Sequence, residues 1–262
     1  MRLHIVNTVL RREWLETSRN RLLLATILVP PIILTVAPIA LAGVIGERAL
    51  PDELAAAVLE QRPEWSGFTP SELAGAFAVQ QFLVFFLLMP AYIPLAIATF
   101  SIIGEKQART LEPVLAAPIR TVELLAGKVV AALVPGVLAG WLTYLVFVAL
   151  ASLVYGPALF GVVTDASWLM GVFVLGPAVG LSSVVAGVIV SSRVSDPRVA
   201  QQIGGIIIVP IIAVILLQAT GTVLVGALGY FVMAVIVLIV SIVGLRVGVT
   251  LFDRESILTR WR

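Results

Sequence analysis

The chain is expected to be an all-α integral membrane protein with six transmembrane helices, and three observations carry that expectation. Its 262 residues are 60% hydrophobic and only 12% charged, with a mean hydropathy of +1.09. Water-soluble globules do not have this balance. Six apolar runs free of Asp, Glu, Lys, Arg and His lie at 22–45, 77–103, 129–154, 169–190, 203–218 and 223–245. A bilayer core of about 30 Å needs about 20 such residues of helix. The runs are continuous and do not alternate at period two, so they read as helices and not as barrel strands. Finally, fifteen of the 17 lysines and arginines fall in the N-terminal segment, the second and fourth loops and the C-terminal tail. The positive-inside bias then puts both termini in the cytoplasm of a cell membrane. The pI of about 9.3 expresses this sidedness. No basic patch is interleaved with aromatics, so nucleic acid is not an expected partner. The bilayer is, and residues 1–262 read as a single transmembrane domain.

Residues 1–21 precede the first span and read as an interfacial amphipathic helix. Leu3, Val6, Leu10 and Trp14 share one face at helical period, with Arg11, Arg12 and Arg19 away from it. Such a helix lies in the headgroup layer with its arginines against anionic lipid. The first span carries Pro30, Pro31 and Pro38, each of which removes a backbone donor and favours a kink. Ala40-Leu41-Ala42 resembles a signal cleavage site, but the mixed charge of the preceding segment and the length of the apolar run argue against one.

The loop at 46–76 holds six carboxylates, Glu47, Asp52, Glu53, Glu60, Glu64 and Glu72. They read as a solvated acidic loop or as a cation-attracting vestibule, and the charge bias favours the first. Thr69-Pro70-Ser71-Glu72 is a helix start, with an N-cap Thr, Pro at N1 and Glu at N3. A helix from there to 103 is longer than the bilayer is thick, and Pro90 and Pro94 are its expected bends.

The third and fourth spans contain Gly136-x-x-x-Gly140 and Gly176-x-x-x-Gly180, which suit close helix packing. The loop at 191–202 reads as a short connector. The fifth span opens on Gly204-Gly205 and is expected to break at Pro210. The tail from 246 is basic and is expected to continue the last helix.

Several chemistries are excluded. There is no Cys and a single His, His4, so thiol catalysis, Cys metal sites and a Ser-His hydrolase have no material. No catalytic, cofactor-binding or metal-ligating set emerges. Ser182 and Ser183 read as packing residues with back-bonded hydroxyls. Proton relays and ion-coupled carriers usually hold a charged side chain in the bilayer, and the runs contain none. Gly127-Lys128 is followed by Val129, so there is no phosphate cradle of the Gly-x-x-x-x-Gly-Lys-Ser/Thr kind. The polar groups left in the spans are Gln80, Gln81, Tyr92, Thr99, Ser101, Thr143, Tyr144 and Gln218, plus carbonyls freed at Pro30, Pro31, Pro90, Pro94 and Pro210. Of these, Gln80, Gln81, Tyr92, Thr99, Ser101, Pro90 and Pro94 are the expected path lining. Such a path suits apolar or amphiphilic cargo. The prolines serve equally as simple kinks.

Between the second and third spans lies a charged island, 105–128, EKQARTLEPVLAAPIRTVELLAGK. Glu105 to Ala116 can form a helix with Leu111, Val114 and Leu115 on one edge. Pro118 stops it, and Thr121 can cap a second helix running into the third span. The island resembles the cytoplasmic loop of ABC-2-type exporter permeases. That loop opens on a Glu, followed by Thr-Leu-Glu, an apolar pair, a Pro, a Glu and a Gly-Lys. Here they are Glu105, Thr110-Leu111-Glu112, Val114-Leu115, Pro118, Glu123 and Gly127-Lys128. Many members carry Gly where this chain has Arg109. The six-span layout, the N-terminal helix and the tail with Phe252-Asp253-Arg254-Glu255 also look like the family.

The resemblance implies a permease without its own ATPase, a coupling helix between spans two and three, and a second permease copy or sibling. ATP and Mg would sit on separate ATPase chains, and this chain itself would bind no cofactor. Glu105, Lys106, Arg109, Thr110, Leu111, Glu112, Leu115 and Pro118 would form the ATPase-coupling surface. A gradient-driven carrier or channel, and a non-transporting membrane anchor, remain the alternatives.

Overall fold

The computed structural model describes residues 3–46, 49–110, 121–220 and 223–251. The described residues are helical, with no strand among them. Five stretches are long and apolar enough to cross a membrane: Pro70–Gln107, Val122–Val154, Leu159–Arg193, Pro197–Gln218 and Ala227–Arg246. The expected first span, 22–45, lies in a helix whose described apolar stretch, Ile27–Leu41, is shorter.

Helix α1, Leu3–Arg19, leads into α2, Arg21–Gly46, which passes through Pro30, Pro31 and Pro38 without interruption. The acidic loop at 46–76 is more ordered than its composition suggested. It forms α3, Asp52–Gln61, and a 3-10 turn, Pro63–Trp65. Asp52 and Glu53 sit in the first turn of α3, where carboxylates favour the positive end of the helix dipole. Val58 and Trp65 are buried beneath it, while Asp52, Glu53, Glu60 and Glu64 face solvent. This is the acidic end of the molecule.

Helix α4, Pro70–Phe86, starts on the expected capping box, with Thr69 and Glu72 each bonding the other's backbone. It breaks at Leu87 and resumes as α5, Leu88–Gln107. The break falls just before Pro90, which lacks an N–H and crowds the carbonyl four residues earlier. Pro94 lies inside α5 without breaking it.

Helix α5 is the centre of the bundle, packed between α6, Thr121–Val163, and the helix Gly176–Arg193. Both glycine pairs serve this packing. A Cβ at Gly136 would stand 2.5 Å from Pro94 Cγ, and one at Gly180 would lie 3.3 Å from the Pro90 carbonyl oxygen. The prolines of α5 thus seat in glycine-lined grooves on both neighbours. Thr121 is the first described residue of α6, and the cap expected there borders 111–120, outside the described residues.

After α6, a short helix α7, Ala166–Leu169, passes into a π-helix, Met170–Leu175, and then into α8, Gly176–Arg193. The π turn has a sequence cause. Gly176 N–H bonds the Gly171 carbonyl, five residues back. The next residue, Pro177, has no N–H to offer Val172. Trp141 of α6 supplies the missing donor, its Nε1 standing 3.2 Å from Val172 O.

The expected connector at 191–202 shortens to 194–196. Asp196 caps α9, Pro197–Gly204, by accepting from Arg198 N–H at 2.7 Å. A 3-10 turn, Gly205–Ile207, joins α9 to α10, Ile208–Ala219. The fifth span is therefore longer than 203–218, and its irregularity lies before Pro210, because the ring crowds Ile206 four residues upstream. The last described helix, α11, is Ala227–Leu251. Phe252-Asp253-Arg254-Glu255 lies outside the described residues.

The core has two parts. Towards the acidic end, Phe86, Tyr144, Phe147 and Trp168 interlock with ring centroids 5.3–6.3 Å apart. Towards the basic end, Ile93, Ile97 and Ile102 of α5 meet Leu125 and Ala132 of α6 and Val184 and Val188 of α8. Ser183 Oγ is buried without a hydrogen-bond partner among the described residues, so the expected back-bonding is not found there.

Candidate functional site

At the basic end, α1, α5 and α6 meet around a buried cluster of charge. Lys128 Nζ lies 2.5 Å from Glu13 Oε1 and 3.1 Å from Glu105 Oε2. It also donates to Ser101 Oγ at 2.7 Å. Glu105 Oε1 is 3.4 Å from Arg12 Nη2, and Arg12 in turn pairs with Glu16. Glu13, Glu105 and Lys128 are each 5% exposed or less. With Arg12 the cluster holds two cations and two carboxylates. Balanced charge and short contacts are what make such burial tolerable, since each ion leaves water at a cost of several kcal/mol. At Arg12 partial burial alone would lower the guanidinium pKa, but Glu16, Glu105 and Glu13 outweigh it and the pKa is raised.

The sequence builds this cluster locally. A Cβ at Gly127 would stand 2.8 Å from Val9 Cβ, so only Gly lets α1 approach α6 here. Trp14 Nε1 then donates to Ala131 O at 3.2 Å. The face that α1 turns inward runs through Val6, Val9, Leu10 and Glu13, one residue round from the expected stripe. Trp14 itself is 42% exposed.

The end of α5 is closed by a Schellman turn. Thr110 N–H bonds Glu105 O at 3.0 Å and Arg109 N–H bonds Lys106 O at 3.1 Å. Arg109 takes φ 55°, the only positive φ among described non-glycine residues. This is the position where a Gly would be expected. Lys106 points the other way and donates to the carbonyls of Ser191, Ser192 and Val194. It thereby caps the C-terminus of α8, where a cation meets the negative end of the helix dipole. Gln107 Nε2 adds a bond to Ser195 O at 3.0 Å.

The residues expected to couple thus divide. Glu105 and Lys106 are engaged inside the chain, Arg109 and Thr110 are exposed at the turn, and Leu111, Glu112, Leu115 and Pro118 lie outside the described residues. Glu13 and Arg12 were not anticipated. An acid within an otherwise apolar helix face was the signal, and an assignment of α1 to the lipid headgroups hid it.

The expected path residues also divide. Gln80 is buried and accepts from Trp168 Nε1 at 3.1 Å. Its Nε2, and both polar atoms of Gln81, are buried without hydrogen-bond partners among the described residues. Tyr92, 37% exposed, has its hydroxyl 3.5 Å from Gln201 Oε1. Gln201 Nε2 reaches Thr99 Oγ1, also at 3.5 Å, and the Thr99 hydroxyl otherwise bonds carbonyls of its own helix. Ser101 belongs to the ion cluster. Pro90 and Pro94 are buried in the glycine grooves.

At the acidic end a second charged contact holds the cap formed by α3 and the 3-10 turn. Arg62, 9% exposed, reaches Asp165 Oδ2 at 3.0 Å, Ser167 Oγ at 2.9 Å and Glu64 Oε1 at 3.3 Å. Its guanidinium stands 5.7 Å from the Trp65 ring centroid. Leu224 N–H donates to Gln61 Oε1 at 2.6 Å. The cap is thereby tied to the turn after α6 and to the connection before α11.

Residues 61–223 match a family model described as ABC-2 family transporter protein. Comparison with curated proteins gives no match.

Proposed function

Because the chain belongs to the ABC-2 transporter family, a family of membrane transport permeases, we propose that it is the permease subunit of an ATP-binding cassette exporter driven by ATPases on separate chains. The observation that carries the coupling is the ion cluster. Residues 111–120 connect α5 to α6 in sequence, and Lys128–Glu105 ties those two helices together. Lys128–Glu13 adds α1 to the same unit. A push on the segment therefore moves three helices together. Lys106 extends the unit to the end of α8.

In this reading Arg109, Thr110, Leu111, Glu112, Leu115 and Pro118 touch the ATPase, while Glu105 and Lys106 act from behind as anchors. ATP and Mg belong to the partner chains, in keeping with the lack of a phosphate-binding loop here. The helix α2 serves as a sixth span, both termini lie in the cytoplasm, and two permease copies or siblings enclose the path. Gln81, whose buried amide has no hydrogen-bond partner among the described residues, and Tyr92 offer hydrogen bonds to the polar group of an otherwise apolar cargo.

The test is purification in mild detergent from the native host, with the stoichiometry of what accompanies the chain. An equimolar soluble subunit with a phosphate-binding loop is expected. Glu112→Arg should remove that subunit while leaving membrane insertion intact, whereas Glu105→Gln should retain it and lose ATP-dependent transport. A clean oligomer that transports without any ATPase would overturn the proposal in favour of a gradient-driven carrier.

A further inference from the structure

The consecutive helices α10 and α11 make little contact with one another. Helix α10 packs on α4, and α11 packs on α8 and on the π-helix. Where they diverge lies a cavity of about 350 Å³, a size typical of sites for small ligands. Its lining is apolar except for Ser182 and Tyr230, and it draws on α4, α8, α10 and α11. All four belong to stretches apolar enough to cross a membrane. Ile236 and Val240 belong to the lining and are more than half exposed, so the cavity opens sideways, towards the surface that meets lipid.

We propose that this cavity holds one acyl chain of a resident membrane phospholipid, wedged between α10 and α11. Three physical points support that occupant over others. A cavity of this size would take several waters, each needing two to four polar partners, and two polar groups do not supply so many. An apolar cavity without an occupant costs stability in proportion to its volume, and hydrocarbon is the medium at its mouth. The length also fits. The lining runs along α11 from Tyr230 to Val240, about 15 Å at 1.5 Å per residue. That is half of a hydrocarbon core of about 30 Å, the depth of one leaflet. The polar end is at Tyr230, which bonds Gln218 near the acidic end of the bundle, where an ester head would lie. The inference needs no ATPase and stands apart from the coupling mechanism.

The experiment reconstitutes the full chain in phosphatidylethanolamine–phosphatidylglycerol vesicles whose acyl chains carry a photoreactive diazirine. Labelled residues are mapped by mass spectrometry. Labelling is expected on lining residues of α8, α10 and α11 as well as on the lipid belt of α6, where Leu142 and Leu153 are exposed. Val214→Phe on α10 and, independently, Val179→Phe on α8 should abolish the lining signal and leave the α6 signal unchanged. The α6 signal also reports that each variant is folded and inserted. In washed detergent samples the native chain should retain one more phospholipid per chain than either variant. Lining signal that persists in both variants, or that never exceeds background, overturns the proposal. So does cross-linking of two copies through the lining, which would make a second chain the occupant. Labelling that appears only with an energised ATPase would make the occupant cargo and would equally overturn the resident lipid.

Discussion

Lys128 is the residue on which most depends. It neutralises two buried carboxylates that would otherwise repel each other, so Lys128→Met leaves uncompensated charge. A loss of about 3–5 kcal/mol is expected, the usual cost of breaking a buried pair from one side. It would appear as a lowered unfolding midpoint in detergent. Replacing all three ions together, with Glu13→Leu, Glu105→Leu and Lys128→Met, should recover most of that stability, because apolar groups avoid the desolvation. Arg109 tests the neighbouring turn. A left-handed residue with a side chain costs about 1–2 kcal/mol, and Gly returns part of that gain as unfolded-state entropy. Arg109→Gly should therefore raise stability by about 0.5–1 kcal/mol, measured as the same midpoint. Arg109→Val should lower it, since β-branched residues tolerate positive φ least. The sequence marked both positions through Glu105, Gly127-Lys128 and the missing Gly at 109. It did not tell that the charges face inward, because pairing with Glu13 depends on how α1 docks, and nothing local to 105–128 encodes that.

Among the elements, the π turn has the most specific cause. Trp141→Phe strands the Val172 carbonyl in an apolar interior, at a cost of about 1–3 kcal/mol. Pro177→Ala restores an N–H that can reach that carbonyl. In the Pro177→Ala background the Trp141→Phe loss should be smaller, and the coupling from a double-mutant cycle should be about 0.5–3 kcal/mol. Equal losses in both backgrounds would refute the Trp141–Pro177 link. The helix starts at Thr69 and Asp196 follow from side-chain capping chemistry, and the first was plain in the sequence. Asp196-Pro197 carries the same signal, an N-cap Asp followed by Pro, within the stretch expected to be a short connector. The fold of 52–65 is not legible in the same way. Leu54 and Val58 are spaced for one helical face, but the stretch is short and acidic, and that face buries only against the hydrophobic cluster around Trp65, with Arg62 pinning it to Asp165 and Ser167.

At the scale of the whole molecule, the order of the helices was readable from apolar runs alone, because the bilayer demands them. How they pack was not, since glycine pairs name a close approach without naming its partner. Here the partner is proline, on the central helix. The side each loop occupies can be tested with unusual economy, because the chain has no native Cys. Glu64→Cys should react with a membrane-impermeant maleimide applied to intact cells, and Arg198→Cys should react only after the membrane is opened. The reverse pattern would invert the proposed topology. Helix α6 gives this topology a mechanical meaning. It does not run straight through its 43 residues. The Tyr144 hydroxyl donates to the Val163 carbonyl at 2.8 Å, although a straight helix would part these two positions by about 28 Å at 1.5 Å per residue. The chain therefore doubles back between them, and Trp168 comes to stack on Tyr144 and Phe147. Lys128 stands near the start of the long arm, and Asp165, the anchor of Arg62, just past the short one. A tilt of the long arm is thus passed to the acidic end through the Tyr144–Val163 bond and the ring stack, with no rigid rod needed to carry it.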